Sequence, residues 1–167
     1  MIVGVISDTH DRIPLIIEAV ERLNAEGAGL ILHCGDYCAP FAMKPLGKLN
    51  ARMIGVYGNN DAEKELLKEA ALKAGNEIKG GFARLIVDGW KVALLHGEDS
   101  DLLSSLIECG YFDLVAYGHT HEAEVRTVGR TLVVNPGEVC GYLTNEPSLA
   151  LLNTKTKEAK LVKIGRR

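Results

Sequence analysis

Ile2-Val3-Gly4-Val5-Ile6-Ser7-Asp8-Thr9-His10 opens the chain, and its first half predicts a strand. The run from Ile2 to Ile6 is apolar and mostly β-branched, as in a strand buried on both faces. It ends on a carboxylate and an imidazole two residues apart. In extended backbone residues i and i+2 point to the same side, so Asp8 and His10 would converge on one spot. Asp oxygen with His nitrogen suits a divalent transition metal. The same pair also suits a plain loop with a helix cap, so the metal reading depends on later segments repeating the design.

The chain has 167 residues, 47% hydrophobic and 25% charged, which fits one globular domain over 1–167 with a substantial core. A net charge of -3 leaves no footprint for binding nucleic acid through bulk electrostatics. No apolar run approaches the roughly 18 residues a bilayer span needs. Met1 leads straight into the first strand with no basic leader, so a cytoplasmic protein is expected. Cys34, Cys38, Cys109 and Cys140 then read as reduced and mostly buried thiols. Cys34 and Cys38 lack a second pair at zinc-site spacing.

Strand and helix signals alternate through the first half. Leu15, Ile16, Ala19, Val20 and Leu23 share a helical face. Leu30-Ile31-Leu32 is a second buried strand, a short helix is expected from about Phe41 to Leu49, and a third strand over Met53–Tyr57. Leu66, Leu67, Ala70, Ala71 and Ala74 form the next helical face, stopped at Gly75. Phe82–Val87, Asp88-Gly89 and Trp90–Leu95 read as a hairpin. A helix over Asp101–Cys109 and strands over Leu114–Tyr117, Ala123–Val128, Thr131–Val134, Ser148–Asn153 and Lys160–Ile164 complete the pattern. The implied class is α/β, with helices covering a two-sheet core.

The polar residues that end these strands repeat the opening design. Asp8, His10, Asp36, Asn59, His96, His119 and His121 all lie at or just past the carboxyl end of a predicted strand, the edge where open α/β folds place their sites. Each also has a structural reading. Asp36 suits a cap or turn, Gly58-Asn59 a tight turn, Asp61 the N-cap of its helix, and His96 a half-buried core histidine. His119-x-His121 is the stronger pair, since two imidazoles on one side of an extended segment can chelate. His33 reads as structural.

Asp8-x-His10, Gly35-Asp36, Gly58-Asn59, His96-Gly97 and Gly118-His119-x-His121, in this order, resemble the calcineurin-like metallophosphoesterase superfamily. The short length and Gly58-Asn59-Asn60-Asp61 resemble its small prokaryotic phosphodiesterase branch, to which a retromer scaffold subunit is related. The resemblance covers essentially the whole chain. It implies a four-layer αββα sandwich with a dinuclear metal site at one edge. Carried over by motif, Asp8, His10 and His121 would bind one metal, Asn59, His96 and His119 the other, and Asp36 would bridge them. It further implies a hydrolase of small phosphodiesters, in which two divalent ions share and acidify a water that attacks phosphorus. Mixed oxygen and nitrogen ligands favour manganese, iron, nickel, cobalt or zinc over magnesium or calcium, and manganese is the first expectation among them.

Two departures qualify the resemblance. Many members carry a proton-donating His where this chain has Asn60, and an amide has no usable proton to give to a leaving group. Leaving groups of high pKa should therefore depart slowly, which favours diesters with good leaving groups. Glu98 stands where the branch often has His, and it would orient His96 or touch a metal. The Asn135–Tyr142 segment is either a loop beside the site or a plain turn. The alternative function is a non-catalytic interaction scaffold, or a metal-binding domain, on the same fold. Exposed strand edges leave pairing into a homo-oligomer open.

Overall fold

The computed structural model describes residues 1–165. Two sheets lie face to face between two layers of helices. The first half follows strand–helix alternation: β1 (Ile2–Ile6), α1 (Ile13–Ala25), β2 (Leu30–His33), a 3₁₀ turn over Pro40–Ala42 continued by α2 (Met43–Leu46), β3 (Met53–Gly55), α3 (Lys64–Lys73) and β4 (Glu77–Ile78). Then come β5 (Phe82–Val87), β6 (Trp90–Leu95), α4 (Ser100–Glu108), β7 (Leu114–Ala116), β8 (Glu124–Val128), β9 (Thr131–Asn135), β10 (Ser148–Asn153) and β11 (Glu158–Lys163).

One sheet has the order β11-β10-β1-β2-β3-β4 and the other β5-β6-β7-β9-β8. β1 to β4 run parallel, as do β6, β7 and β9, while β10 returns antiparallel to β1. Strand period separates the layers. Along β1, Val3 and Val5 face the inter-sheet core with Leu94, Leu114, Ala116 and Val134, while Ile6 faces the helix side. The α1 face Ile16, Ala19, Val20 and Leu23 packs there against Ile31 and Leu151. On the far side α4 packs Ile107 and Leu106 against Leu95, Val115 and Val133. This is the four-layer αββα sandwich that the motifs imply.

Several expectations shift. The short helix begins as a 3₁₀ turn, because Pro45 has no N–H to donate to Phe41 O four residues back, and it ends at Leu46 with Gly47 as its cap. β3 and β7 stop two and one residues early. The last strand starts at Glu158. β4, two residues long, carries too little pattern to be recognised. Asp61 is not the cap of α3: that position belongs to Glu63, with no side-chain bond.

Candidate metal centre

Six strands that share a direction within each sheet, β1, β2, β3, β6, β7 and β9, send their carboxyl-terminal loops to one edge. The loops are laced together. Asp8 N–H donates to Gly35 O and His10 N–H to Asp36 O, Gly118 N–H donates to His96 O, and Val139 and Cys140 N–H donate to Ser7 and Asp8 O. Asp61 binds two of them: its carboxylate accepts from the backbone N–H of Asp36, Tyr37, Cys38 and Gly58 at 2.7–3.0 Å. That role explains why it is buried and not capping. Two glycines let neighbouring loops approach the aspartates closely. A Cβ on Gly58 would sit 2.7 Å from Asp36 N, and one on Gly118 would sit 2.7 Å from Asp8 Oδ2.

All seven predicted strand-end residues converge. Asp36 Oδ2 lies 3.4 Å from His10 Nε2 and 3.4 Å from His96 Nε2, midway between two groups of side chains. On one side Asp8 Oδ1 is 3.6 Å from His10 Nε2 and 3.3 Å from His121 Nε2. On the other, His119 Nδ1 faces Asn59 Oδ1 at 2.9 Å, and the His96 and His119 rings meet edge-on at 5.1 Å. The convergence does not come from extended backbone, as the i, i+2 spacing suggested. Asp8, His10, Asp36, His119 and His121 all have φ between 38° and 67°, a left-handed conformation that turns each side chain inward. Asp and His tolerate it better than most residues, and such backbone clusters at functional sites.

Hydrogen bonds fix which imidazole atoms face inward. His96 Nδ1 lies 2.9 Å from the carbonyl of Cys34 and His121 Nδ1 lies 2.7 Å from Glu138 Oε2. Both partners accept only, so each Nδ1 carries the proton and each Nε2 turns toward a carboxylate oxygen. Asp8 Oδ1, His10 Nε2 and His96 Nε2 are buried without a hydrogen-bond partner among the described residues. A neutral imidazole lone pair facing a carboxylate in a buried site calls for a cation between them. The donor set, two carboxylates, four imidazoles and an amide oxygen, fits divalent transition metals.

The two carboxylates are held in their charged form by their neighbours. Burial would raise the Asp8 and Asp36 carboxyls, yet His10 and Ser7 hold Asp8 low, and His96 and Asn60 hold Asp36 low. The nearby Asp8 carboxylate raises His10, and Asp36 raises His96 against the opposing effect of burial. Asn60 donates to Asp36 from its backbone N–H (2.9 Å) and from Nδ2 (2.7 Å), so its amide is turned to the carboxylate.

The other expectations separate cleanly. His33 is structural: it is buried and stacked on Tyr37 at 3.9 Å, its Nδ1 accepts from Gly35 N–H, and burial lowers it to about 3. Glu98 is exposed and no bond ties it to His96. The Asn135–Tyr142 segment does border the site, with the Tyr142 ring 6.5 Å from that of His10. Sequence reading passed over Glu138 within it. The available signal was a lone acid in the otherwise uncharged stretch Asn135-Pro-Gly-Glu-Val-Cys-Gly-Tyr142.

A sandwich of this topology with two carboxylates and four histidines at the strand ends defines a metal-dependent phosphoesterase. The model of the calcineurin-like phosphoesterase superfamily domain matches residues 1–157, and the chain belongs to that superfamily. It is 44% identical over 160 residues to a phosphodiesterase of Methanocaldococcus jannaschii, spanning 95% of this chain and 96% of the relative. A solved archaeal phosphodiesterase superimposes with a TM-score of 0.94 at 40% identity, covering 98% of this chain and 100% of that one. The fold is shared more distantly with Vps29 of Entamoeba histolytica, at a TM-score of 0.70 and 22% identity over 99% and 100% of the two chains.

Proposed function

We propose that the chain, acting as one domain, hydrolyses small phosphodiesters with two divalent metal ions. Asp8, His10 and His121 hold one ion, Asn59, His96 and His119 the other, and Asp36 bridges them. The observation that carries this reading is the position of Asp36 Oδ2, 3.4 Å from an inward nitrogen of each group. When bound, the ions neutralise charge on a phosphoryl group and acidify water. The protein's own residues set the rest. Only Asp8 and Asp36 among the seven bring negative charge, so the loaded site stays cationic and attracts a phosphate ester. Asn60, locked to Asp36, has no proton for a leaving group, which favours diesters whose leaving group departs unaided over alkyl monoesters. The phosphodiesterase named among the relatives at 44% identity supports the same substrate class.

Manganese is the ion to test first, and the mixed oxygen and nitrogen donors suit nickel, iron, cobalt and zinc as well. A reducing, cytoplasmic setting suits four free thiols, two of them buried. Among the described residues no helix is long and apolar enough to cross a membrane.

The test is hydrolysis of bis-p-nitrophenyl phosphate by metal-stripped protein given Mn²⁺, Ni²⁺, Zn²⁺ or Mg²⁺ separately, with His119→Ala alongside. Metal-dependent turnover that the variant lacks is expected, together with slower attack on a simple alkyl monoester. Metal binding without turnover for any ion would favour an interaction scaffold instead.

A further inference from the structure

Glu138 is fully buried, and its carboxylate is shared between the metal centre and the loop beside it. Oε2 accepts from His121 Nδ1 at 2.7 Å, Cys140 Sγ at 3.0 Å and Tyr142 N–H at 2.9 Å. Oε1 accepts from Leu143 N–H at 3.0 Å, Thr144 N–H at 2.6 Å and Thr144 Oγ1 at 2.7 Å. Among the described residues no lysine or arginine pairs with it. Every contact is a donor, which only an ionised carboxylate can satisfy throughout.

We propose that Glu138 is a positioning residue: it fixes the His121 tautomer for metal binding and anchors the 142–144 loop over the site. Because Nδ1–H of His121 points to Glu138, Nε2 is left to face Asp8 Oδ1 at 3.3 Å. The loop it anchors carries exposed Tyr142 and Leu143 (57% and 71%). Arg12 lies 5.0 Å from the Tyr142 ring centroid and also donates to Cys140 O. The anchored loop thus sets an aromatic and cationic face beside the ligands His10 and His121, suited to the organic arm of an aryl or nucleotide diester. One carboxylate then controls both metal affinity and substrate affinity.

Glu138→Gln separates these demands, because an amide has one accepting and one donating end. With its NH₂ toward His121, the imidazole must switch to the Nε2–H tautomer, which cannot ligate through Nε2. With its NH₂ toward Leu143 and Thr144, donors oppose donors and the loop is released. The inference rests on the metal reading above, so the wild type is measured first. Calorimetry of metal-stripped wild type with Mn²⁺ should show binding; if it shows none, both readings fall. Given binding, Glu138→Gln should lower Mn²⁺ affinity about 10- to 100-fold or raise KM for bis-p-nitrophenyl phosphate about tenfold through the freed loop. Equal affinity and equal KM would overturn the inference alone.

Two further readouts do not depend on that variant folding. Proton–nitrogen spectra of the Zn²⁺-loaded wild type should show the His121 proton on Nδ1, and a proton on Nε2 would refute the assignment. Thr144→Val loosens only the loop, so it should keep Mn²⁺ affinity within about twofold while raising KM about threefold. An unchanged KM there would overturn the shared role.

Discussion

Replacing Gly58 by alanine tests whether the close approach of two loops positions Asp36. Gly58 does not have the left-handed backbone that makes an added side chain intrinsically strained, so the cost comes from contact alone. The new Cβ would lie 2.7 Å from Asp36 N and 2.8 Å from Asp36 Cγ, and closer still to Oδ1. Ordinary contact begins near 3.4 Å, so the Asp36 segment must retreat by about 0.7 Å. That segment cannot move freely, because Asp61 holds the N–H groups of Asp36, Tyr37 and Cys38. Overpacking of this kind costs about 1–3 kcal/mol, or roughly 2–12 °C of melting temperature for a chain of this size. Displacing the carboxylate proposed to bridge the two ions by most of an ångström should lower turnover about 10- to 100-fold. Thermal melts of stripped protein and metal-dependent hydrolysis of bis-p-nitrophenyl phosphate read the two effects. Gly81→Ala is the control, since a Cβ there meets nothing within 4 Å. Turnover within about twofold of wild type and an unchanged melting temperature in Gly58→Ala would show that this approach does not position Asp36.

Asp61→Ala leaves four backbone N–H groups without their acceptor, offset by relief of a buried charge whose pKa is raised by burial. A net loss of about 3 kcal/mol is expected in urea melts, and a loss under about 1 kcal/mol would contradict the assigned role. His33 stays neutral down to about 3 in the folded chain against an ordinary 6.5. Between those values the unfolded chain binds the extra proton, so stability falls with falling pH by about 1.4 kcal/mol per unit from this group. His33→Asn keeps an acceptor for Gly35 N–H and should lose about 2 kcal/mol less than wild type between pH 6.5 and 5; parallel pH profiles would refute it. Among the thiols, Cys34 and Cys140 are buried and Cys38 is pushed up to about 12 by burial and nearby Asp11. A disulfide reagent near pH 7.5 should therefore label only exposed Cys109 quickly, with the others reacting after denaturation; rapid labelling of a second thiol in the native protein would count against this packing.

Sequence carried most of the layout because its signals were local. The β1 run, the α1 stripe and the Asp88-Gly89 hairpin each follow from neighbouring residues. The strand-end residues were legible as a set because six loops reach one edge, although the supposed i, i+2 alternation was not what turned them inward. Long-range relations were hidden. Asp61 sits where a helix cap is plausible, yet three of its four donors lie 23 to 25 residues away. Glu138 meets His121 across 17 residues, from a strand insertion order that places β9 beside β7. The antiparallel seating of β10 against β1 likewise has no local mark.

The left-handed backbone of Asp8, His10, Asp36, His119 and His121 gives the proposed metal centre a direction of drift. A non-glycine residue in that conformation costs on the order of 1–3 kcal/mol, so glycine at any one of these positions would relax the backbone while deleting a proposed ligand. Stability and metal chemistry are therefore opposed within the same five residues. A lineage released from catalysis could trade the histidines for firmer loops one at a time, with the sandwich around them intact, while Asp8 and Asp36 are retained by the N–H donors they accept from. Recovery would have to climb back through the same strain, which makes loss of the centre the easier direction of change for this scaffold.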